Sequence, residues 1–392
     1  MFADTAEHSS VSGTVDTSMR NSNLDDAAKM AASFPLPAGT RLVSAVLYGS
    51  VARGWATPQS DIDVALVFDH ADSGTDDISS AIKQRETQAL LPDGTHIEFN
   101  LYHVREIEAM LSKQDALDTH PRSLNALQVR TLDDLHHGRA LINATWLEAF
   151  ASRAAPGNWA KSAAYHHSVT CHTLYRDTLG FLETDAFVAA ASTGRRLAEA
   201  AYDWLCAING DPCMRGKWRY ARHAARQDSP ISEQVCMARL SALQLPDRES
   251  SPTWGGALAA DCIRLFQYVA DLDALIQGAS PVAPEWLASV AEHMLAPRSL
   301  RSPRHYMTRR GEALVILENG LPRYALEADV AHAWLLLGMA TPSDPLISLL
   351  GRAGFEMSRA QEIGELFASN NVALGAARPS LAPFGDDRAP QR

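Results

Sequence analysis

Hydrophobic positions in the first 145 residues fall into short runs and two-residue alternations, whereas from about 146 to 276 they recur at helical spacing. The apolar run Leu42–Tyr48 ends in Gly49-Ser50. After the spacer 51–60, a second apolar run, Ile62–Phe68, carries Asp61 and Asp63 at its start. A polar, helix-compatible stretch, Asp77–Leu90, leads to the turn signal Pro92-Asp93-Gly94. Beyond it Thr95–Tyr102 alternates as a strand does, with Ile97, Phe99 and Leu101 on one side and His96, Glu98 and Asn100 on the other. A helix over Leu124–Leu135 and a short strand over Arg139–Ile142 close this part of the chain.

The next segments are rich in Ala and Leu. Their spacing predicts helices over Trp146–Ala155, Trp159–Leu179, Asp185–Ile208, Ile231–Leu243 and Leu258–Ile276, with breakers at Pro156-Gly157, Asn209-Gly210-Asp211-Pro212 and Ser251-Pro252. After residue 300 the pattern changes again. Ala313–Leu317 reads as a strand, Asn319-Gly320 as a hairpin turn and Arg323–Leu326 as the return strand. A helix over Ala328–Leu337 follows, then one from Pro345 to Leu350 or Ala353. The expected architecture is an α/β (α+β) core with a mixed sheet over 26–145, an α-helical bundle over 146–280 and a small winged-helix-like module over 297–375. Residues 1–25 and 376–392, rich in Ser, Asp, Pro and Gly, read as disordered tails.

A length of 392 residues fits two or three domains, and 46% apolar residues is the composition of a chain with well-buried cores. The net charge of −11 argues against a polymerase-like grip on DNA, which needs a basic track. No apolar run approaches the ~20 residues of a membrane span, and the polar N-terminus lacks the basic-then-apolar pattern of a secretory signal. A cytoplasmic protein without a membrane partner is expected. Cys171, Cys206, Cys213, Cys236 and Cys262 are scattered and odd in number, so no disulfide framework is expected.

The chemistry lies with the acids. Alternate residues of a strand share a face, so Asp61 and Asp63 project together, about 7 Å apart along the chain. Carboxylates that close repel unless a cation sits between them. Mg²⁺ takes oxygen ligands of this kind and usually shares them with substrate phosphates. Glu98, on a neighbouring strand, supplies a third carboxylate, and three such donors can hold two metals ~4 Å apart on either side of an in-line displacement.

With these positions in place, the sequence resembles the nucleotidyltransferase (polymerase-beta-like) superfamily over roughly residues 40–145. The matching residues are Gly49, Ser50, Asp61, Ile62, Asp63 and Val64. The form Gly-Ser-x-Ala-Arg-Gly followed by Ser-Asp-Ile-Asp is similar to small bacterial members, among them antibiotic and minimal nucleotidyltransferases. The resemblance implies that Gly49 and Ser50 contact a nucleoside triphosphate, with Arg53 and Ser60 beside it. It implies that Asp61 and Asp63 bind Mg²⁺, and that Glu98 is the third ligand or the base for the acceptor hydroxyl. Arg53 alternatively lies on the solvated side of the turn.

The helical segments resemble the second domain of kanamycin- and lincosamide-type nucleotidyltransferases, in which Arg215-Gly-Lys-Trp-Arg-Tyr220 matches a Lys-Trp pair. That likeness gives Lys217 and Arg219 a role in gripping phosphate or acceptor, against the alternative of a basic helix start packed on Trp218. Glu199 is either an acceptor base or part of a solvated helix face. His166, His167, Cys171 and His172 share one predicted helix without closing a zinc site, and His136-His137 reads as a helix end. The segment after 300 resembles PqqD-like peptide-clasp domains through Val315-Ile-Leu, Tyr324-x-Leu326 and Ala331-x-x-Trp334, which implies peptide added as a strand to a sheet edge. Arg298, Arg301, Arg304, Arg309 and Arg310 before it form either a basic greeting for an acidic peptide or a solvated linker.

The implied activity is transfer of a nucleoside monophosphate from a nucleoside triphosphate, with ATP as the expected donor and two Mg²⁺ ions as cofactors, to an acceptor hydroxyl with release of pyrophosphate. The acceptor is a ribosomally made peptide or a protein, or else a small hydroxylated antibiotic. A nucleotide-binding antitoxin-type or regulatory module without turnover is the non-enzymatic alternative. A homodimer is left open as a partner, because two-domain relatives often complete their cleft across one.

Overall fold

A computed structural model of the chain describes residues 17–36, 39–57, 59–70, 86–117, 120–212, 214–226, 228–243, 252–276, 301–310, 313–340 and 345–373. Two compact units divide it, the first from 1–115 and 127–155, the second from 116–126 and 156–392. Most of Asp77–Leu90, all of the tail 376–392 and Arg298 lie outside the described residues.

The first unit is built on one mixed sheet. Strands β1 (Thr40–Tyr48), β2 (Ile62–His70), β3 (Glu86–Leu90), β4 (His96–His103) and β5 (Arg139–Ile142) lie in the order β3-β4-β2-β1-β5. β1 runs antiparallel to both β2 and β5, β2 parallel to β4, and β3 antiparallel to β4. Strand alternation sends Ile62, Val64 and Leu66 of β2 and Ile97 and Phe99 of β4 to one face. There they pack with Ala45 and Leu47 of β1 under Ala27 and Ala31 of helix α1 (Thr17–Ala32). Each large apolar side chain buried this way contributes roughly 1.5–3 kcal/mol. The same alternation leaves Asp63, Glu98 and Asn100 on the opposite face.

Two local elements differ from the sequence expectation. The stretch read as a tail, 1–25, is helical from Thr17, because Leu24, Ala27, Met30 and Ala31 form a stripe that packs on the sheet. Glu86–Leu90, read as the end of a helix, is strand β3. Its hairpin with β4 is closed by the Leu91 N–H donating to the Thr95 carbonyl at 2.9 Å and by Asp93 accepting from the Thr95 N–H at 2.9 Å. Cross-strand pairing has overridden a helix-compatible local sequence. Helices α3 (Val104–Leu111), α4 (Ala126–His136) and α5 (Ala144–Arg153) complete this unit. Arg153 at the end of α5 grips Glu108 of α3 through two bonds of 2.8 and 2.6 Å.

In the second unit the long helices α6 (Pro156–Glu183), α7 (Phe187–Ile208) and α10 (Pro252–Ile276) pack together, with α8 (Arg219–Ala225) and α9 (Ile231–Ala242) beside α7. A three-stranded antiparallel sheet follows, β6 (His305–Arg310), β7 (Ala313–Glu318) and β8 (Leu321–Leu326), then helices α11 (Ala328–Leu337), α12 (Leu346–Arg352) and α13 (Met357–Ser369). Asn319 and Gly320 join β7 to β8 at φ 50° and 82°, the pair of left-handed residues that a two-residue hairpin requires. Strand β6 was not expected, and it ties the C-terminal segment to the helices. Tyr306 lies 5.0 Å from the Phe266 ring, and Phe266 stacks on Tyr175 at 4.8 Å. Buried Arg301 pairs with Asp271 and lies 4.2 Å from the Trp334 ring, whose indole N–H donates to Asp271 at 3.0 Å. The helices and the C-terminal sheet therefore share one core.

Candidate active site

Strand β1 ends at Tyr48, and the extended backbone there turns into the short helix α2 (Gly49–Arg53). Gly49 sits at φ 78°, and a Cβ built on it would stand 2.0 Å from the Asp63 Oδ2. The turn needs glycine twice over, for its left-handed backbone and for the close approach of that carboxylate. Gly54 closes α2 at φ 74°, with the Trp55 N–H donating to the Ser50 carbonyl at 2.9 Å in the manner of a Schellman cap. Ser50 is thereby held buried beside the end of β2.

In the sheet register Asp63 stands opposite Tyr48 on one side and Glu98 on the other. Asp61, Asp63 and Glu98 each offer a carboxylate oxygen, and the three atoms lie within 4.8 Å of one another. Among the described residues this is the one such grouping of three or more acids, histidines or cysteines. A hard, all-oxygen donor set held against its own repulsion fits a divalent cation of the Mg²⁺ or Mn²⁺ kind. Asn100 borders the acids: its side-chain Nδ2 donates to Glu98 Oε1 at 2.7 Å and to the Tyr48 hydroxyl at 2.9 Å.

The remaining predicted residues are placed as follows. Arg53 is buried, its Nη2 2.6 Å from Asp133 Oδ2 of α4, and its guanidinium carbon lies 5.3 Å from the Trp55 ring centroid. It therefore sits in a buried ion pair and not on the solvated side of the turn. Burial alone would push the Asp133 carboxyl up, but the His137 ring and the Arg53 guanidinium outweigh it and hold the carboxyl below its ordinary range. The same bond to Asp133 raises His137, while burial lowers His136. The Ser60 hydroxyl accepts the Thr57 N–H at 2.8 Å, so it shapes the loop that delivers Asp61.

Lys217 belongs to the second unit, exposed on a short 3-10 turn, with its ammonium 5.1 Å from the Trp218 ring. Arg219 is buried and grips Asp203 through bonds of 3.0 and 2.7 Å. Glu199 pairs with Arg195 at 3.1 Å and Arg219 at 3.5 Å, so it is neither a free base nor simply solvated. His166 bonds the Leu124 carbonyl at 2.8 Å, Cys171 is buried with its thiol pushed well up, and His172 stacks on Tyr306 at 5.3 Å. Of the arginines before the C-terminal sheet, Arg301 is buried in its ion pair, Arg304 meets Glu183 at 3.0 Å and Arg309 donates to the Ala274 carbonyl at 3.0 Å. Arg301, Arg304 and Arg309 thus meet partners inside the unit, while Arg310 is exposed at the end of β6. Asn100, Tyr48 and Asp133 went unread in the sequence. The alternation that placed Asn100 on the Glu98 face was the one available signal for any of them.

Residues 37–119 match the family model of the nucleotidyltransferase domain. That span contains β1, α2, β2 and β4 and thus the whole of the acidic group. No curated protein matches the chain.

Proposed function

We propose that the protein is a metal-dependent nucleotidyltransferase that moves a nucleoside monophosphate from a nucleoside triphosphate, with ATP as donor, to an acceptor hydroxyl and releases pyrophosphate. One observation carries this reading: three carboxylate oxygens within 4.8 Å of one another beside Gly49-Ser50, inside a span that matches the nucleotidyltransferase domain model. Asp61, Asp63 and Glu98 are the residues to hold a pair of Mg²⁺ ions, which when bound supply charge neutralisation at the α-phosphate and a lowered pKa at the acceptor hydroxyl. The Ser50 hydroxyl and the backbone at Gly49, bare of any Cβ, are assigned to the β- and γ-phosphates. Positioning then does most of the remaining chemistry, as in phosphoryl-type transfer generally.

For the acceptor we infer a peptide or protein hydroxyl. The support is strand β8, which ends its sheet among the described residues and exposes Leu321, Pro322 and Arg323, the kind of edge to which an extended segment adds. Incubation with each labelled nucleoside triphosphate and cell extract tests both halves. Pyrophosphate should be released and the label should move to protein or peptide. Label recovered only in a small-molecule fraction would replace the acceptor by a small hydroxylated compound. Asp63→Asn should lower turnover by about a thousandfold with the fold retained, since several kcal/mol of charge stabilisation go with the metal. Wild-type turnover in that variant would remove the metal assignment.

A further inference from the structure

Glu98 differs from the two aspartates in how it is held. Asp61 and Asp63 stand at and beside the start of β2, on short side chains with few rotamers to lose. Glu98 has one more torsion, is half-buried, and stands on the neighbouring strand. A glutamate at that distance from its partners finds a metal-ligating pose only if something selects its rotamer. The Asn100 amide does this from two residues further along the same strand face. Both of its N–H bonds are committed, one to Glu98 Oε1 at 2.7 Å and one to the Tyr48 hydroxyl at 2.9 Å. The bond to the carboxylate has the short length of a charge-assisted one. Turning the amide over would set its carbonyl oxygen against the Glu98 carboxylate, so the orientation is chemically fixed.

Tyr48 closes the bracket. It is 3% exposed, it is the last residue of β1, and it directly precedes Gly49-Ser50. We infer that Tyr48 and Asn100 are positioning residues that lock the Glu98 carboxylate into the metal-ligating pose and tie it to the strand end that presents Gly49-Ser50. Neither residue touches a reacting atom in this assignment. The bracket spans the three strands β1, β2 and β4 that carry the motif, so it holds the third acid in register with the turn even before a cation arrives. The inference rests on the nucleotidyltransferase reading, because it gives Glu98 a metal to bind.

The test uses the full chain and Mn²⁺ alone as a paramagnetic probe, with affinity read by electron paramagnetic resonance in the absence of nucleotide. Asn100→Leu, close in volume to the residue it replaces, should weaken Mn²⁺ binding by about 10- to 100-fold, the usual effect of removing a group that orients a metal ligand. Tyr48→Phe, which deletes one oxygen, should weaken it in the same direction by less. Tyr48→Phe should add nothing further in the Asn100→Leu background, since it acts through the amide. Metal-free melting temperatures should stay within a few degrees of wild type in Tyr48→Phe. Unchanged Mn²⁺ affinity in both variants, or additive losses in the double variant, would overturn the inference while leaving the nucleotidyltransferase reading intact. A wild-type chain that binds no Mn²⁺ and releases no pyrophosphate would overturn that reading, and this inference with it.

Discussion

Gly49 shows how a single position joins backbone and chemistry. Its φ of 78° would strain any L side chain by roughly 1–3 kcal/mol. The larger effect is steric, because a Cβ there would stand 2.0 Å from the Asp63 carboxylate. Gly49→Ala should therefore lower stability by about 2 kcal/mol and also displace Asp63. A melting curve combined with Mn²⁺ titration checks both, and an alanine variant that keeps wild-type metal affinity would refute the close approach. At this scale the sequence was informative where periodicity decides the answer. That Asp61 and Asp63 share a face, and that Glu98 lies opposite Ile97 and Phe99, follows from strand alternation. The partnership of Tyr48 with Asn100 does not, because it depends on β1, β2 and β4 lying side by side in one particular register.

Helix α2 is too short to stabilise itself and is held by α4 through the Arg53–Asp133 pair, with His137 on the other side of the same carboxylate. Removing one member of a buried pair leaves the other without its counter-charge. Asp133→Asn should cost about 3 kcal/mol, measurable by chemical denaturation, and a change under 1 kcal/mol would show that the pair does not anchor α2. The pH signs are opposite for Asp133 and His137. The depressed Asp133 carboxyl contributes stability that is present above the unfolded carboxylate value and lost as pH falls through the folded one. The raised His137 contributes stability that is present below its unfolded value and lost as pH rises through the folded one. Most helices were legible from spacing. Strands β3 and β6 were not, since Glu86–Leu90 lacks strand-like composition and Arg309 of β6 resembles part of a solvated run until the Ala274 carbonyl is placed beside it.

For the molecule as a whole, the second unit should add acid sensitivity of its own to that of the Asp133 and His136 region. Burial pushes His172 and His305 down to about 4 from an ordinary 6.5, with Arg310 acting on the first in the same sense and Glu318 opposing it at the second. The neutral rings contribute stability that is fully present above the unfolded value of 6.5 and lost as pH falls from there through about 4. A melting temperature lower at pH 5 than at pH 7.5, with the difference reduced in His172→Phe, is the expected result. An unchanged difference in that variant would remove His172 from the account. Sequence texture separated a helical bundle from a C-terminal module, but the shared core through Phe266, Tyr306, Asp271 and Arg301 is a long-range contact that no local pattern announces. For that reason deleting residues 297–392 would test folding before it tested acceptor choice. The path of the chain adds a constraint on where it can be cut. It leaves the first unit after Asp115, returns at Leu127 and leaves again after Ala155. A fragment stopped at Ala155 would carry Leu124, fully buried in the intact chain, without the Ser162 and His166 side chains that bind the Pro121 and Leu124 carbonyls. Cutting the chain at Ala155 therefore keeps every residue of the first unit but strips residues 116–126 of the helix they pack on.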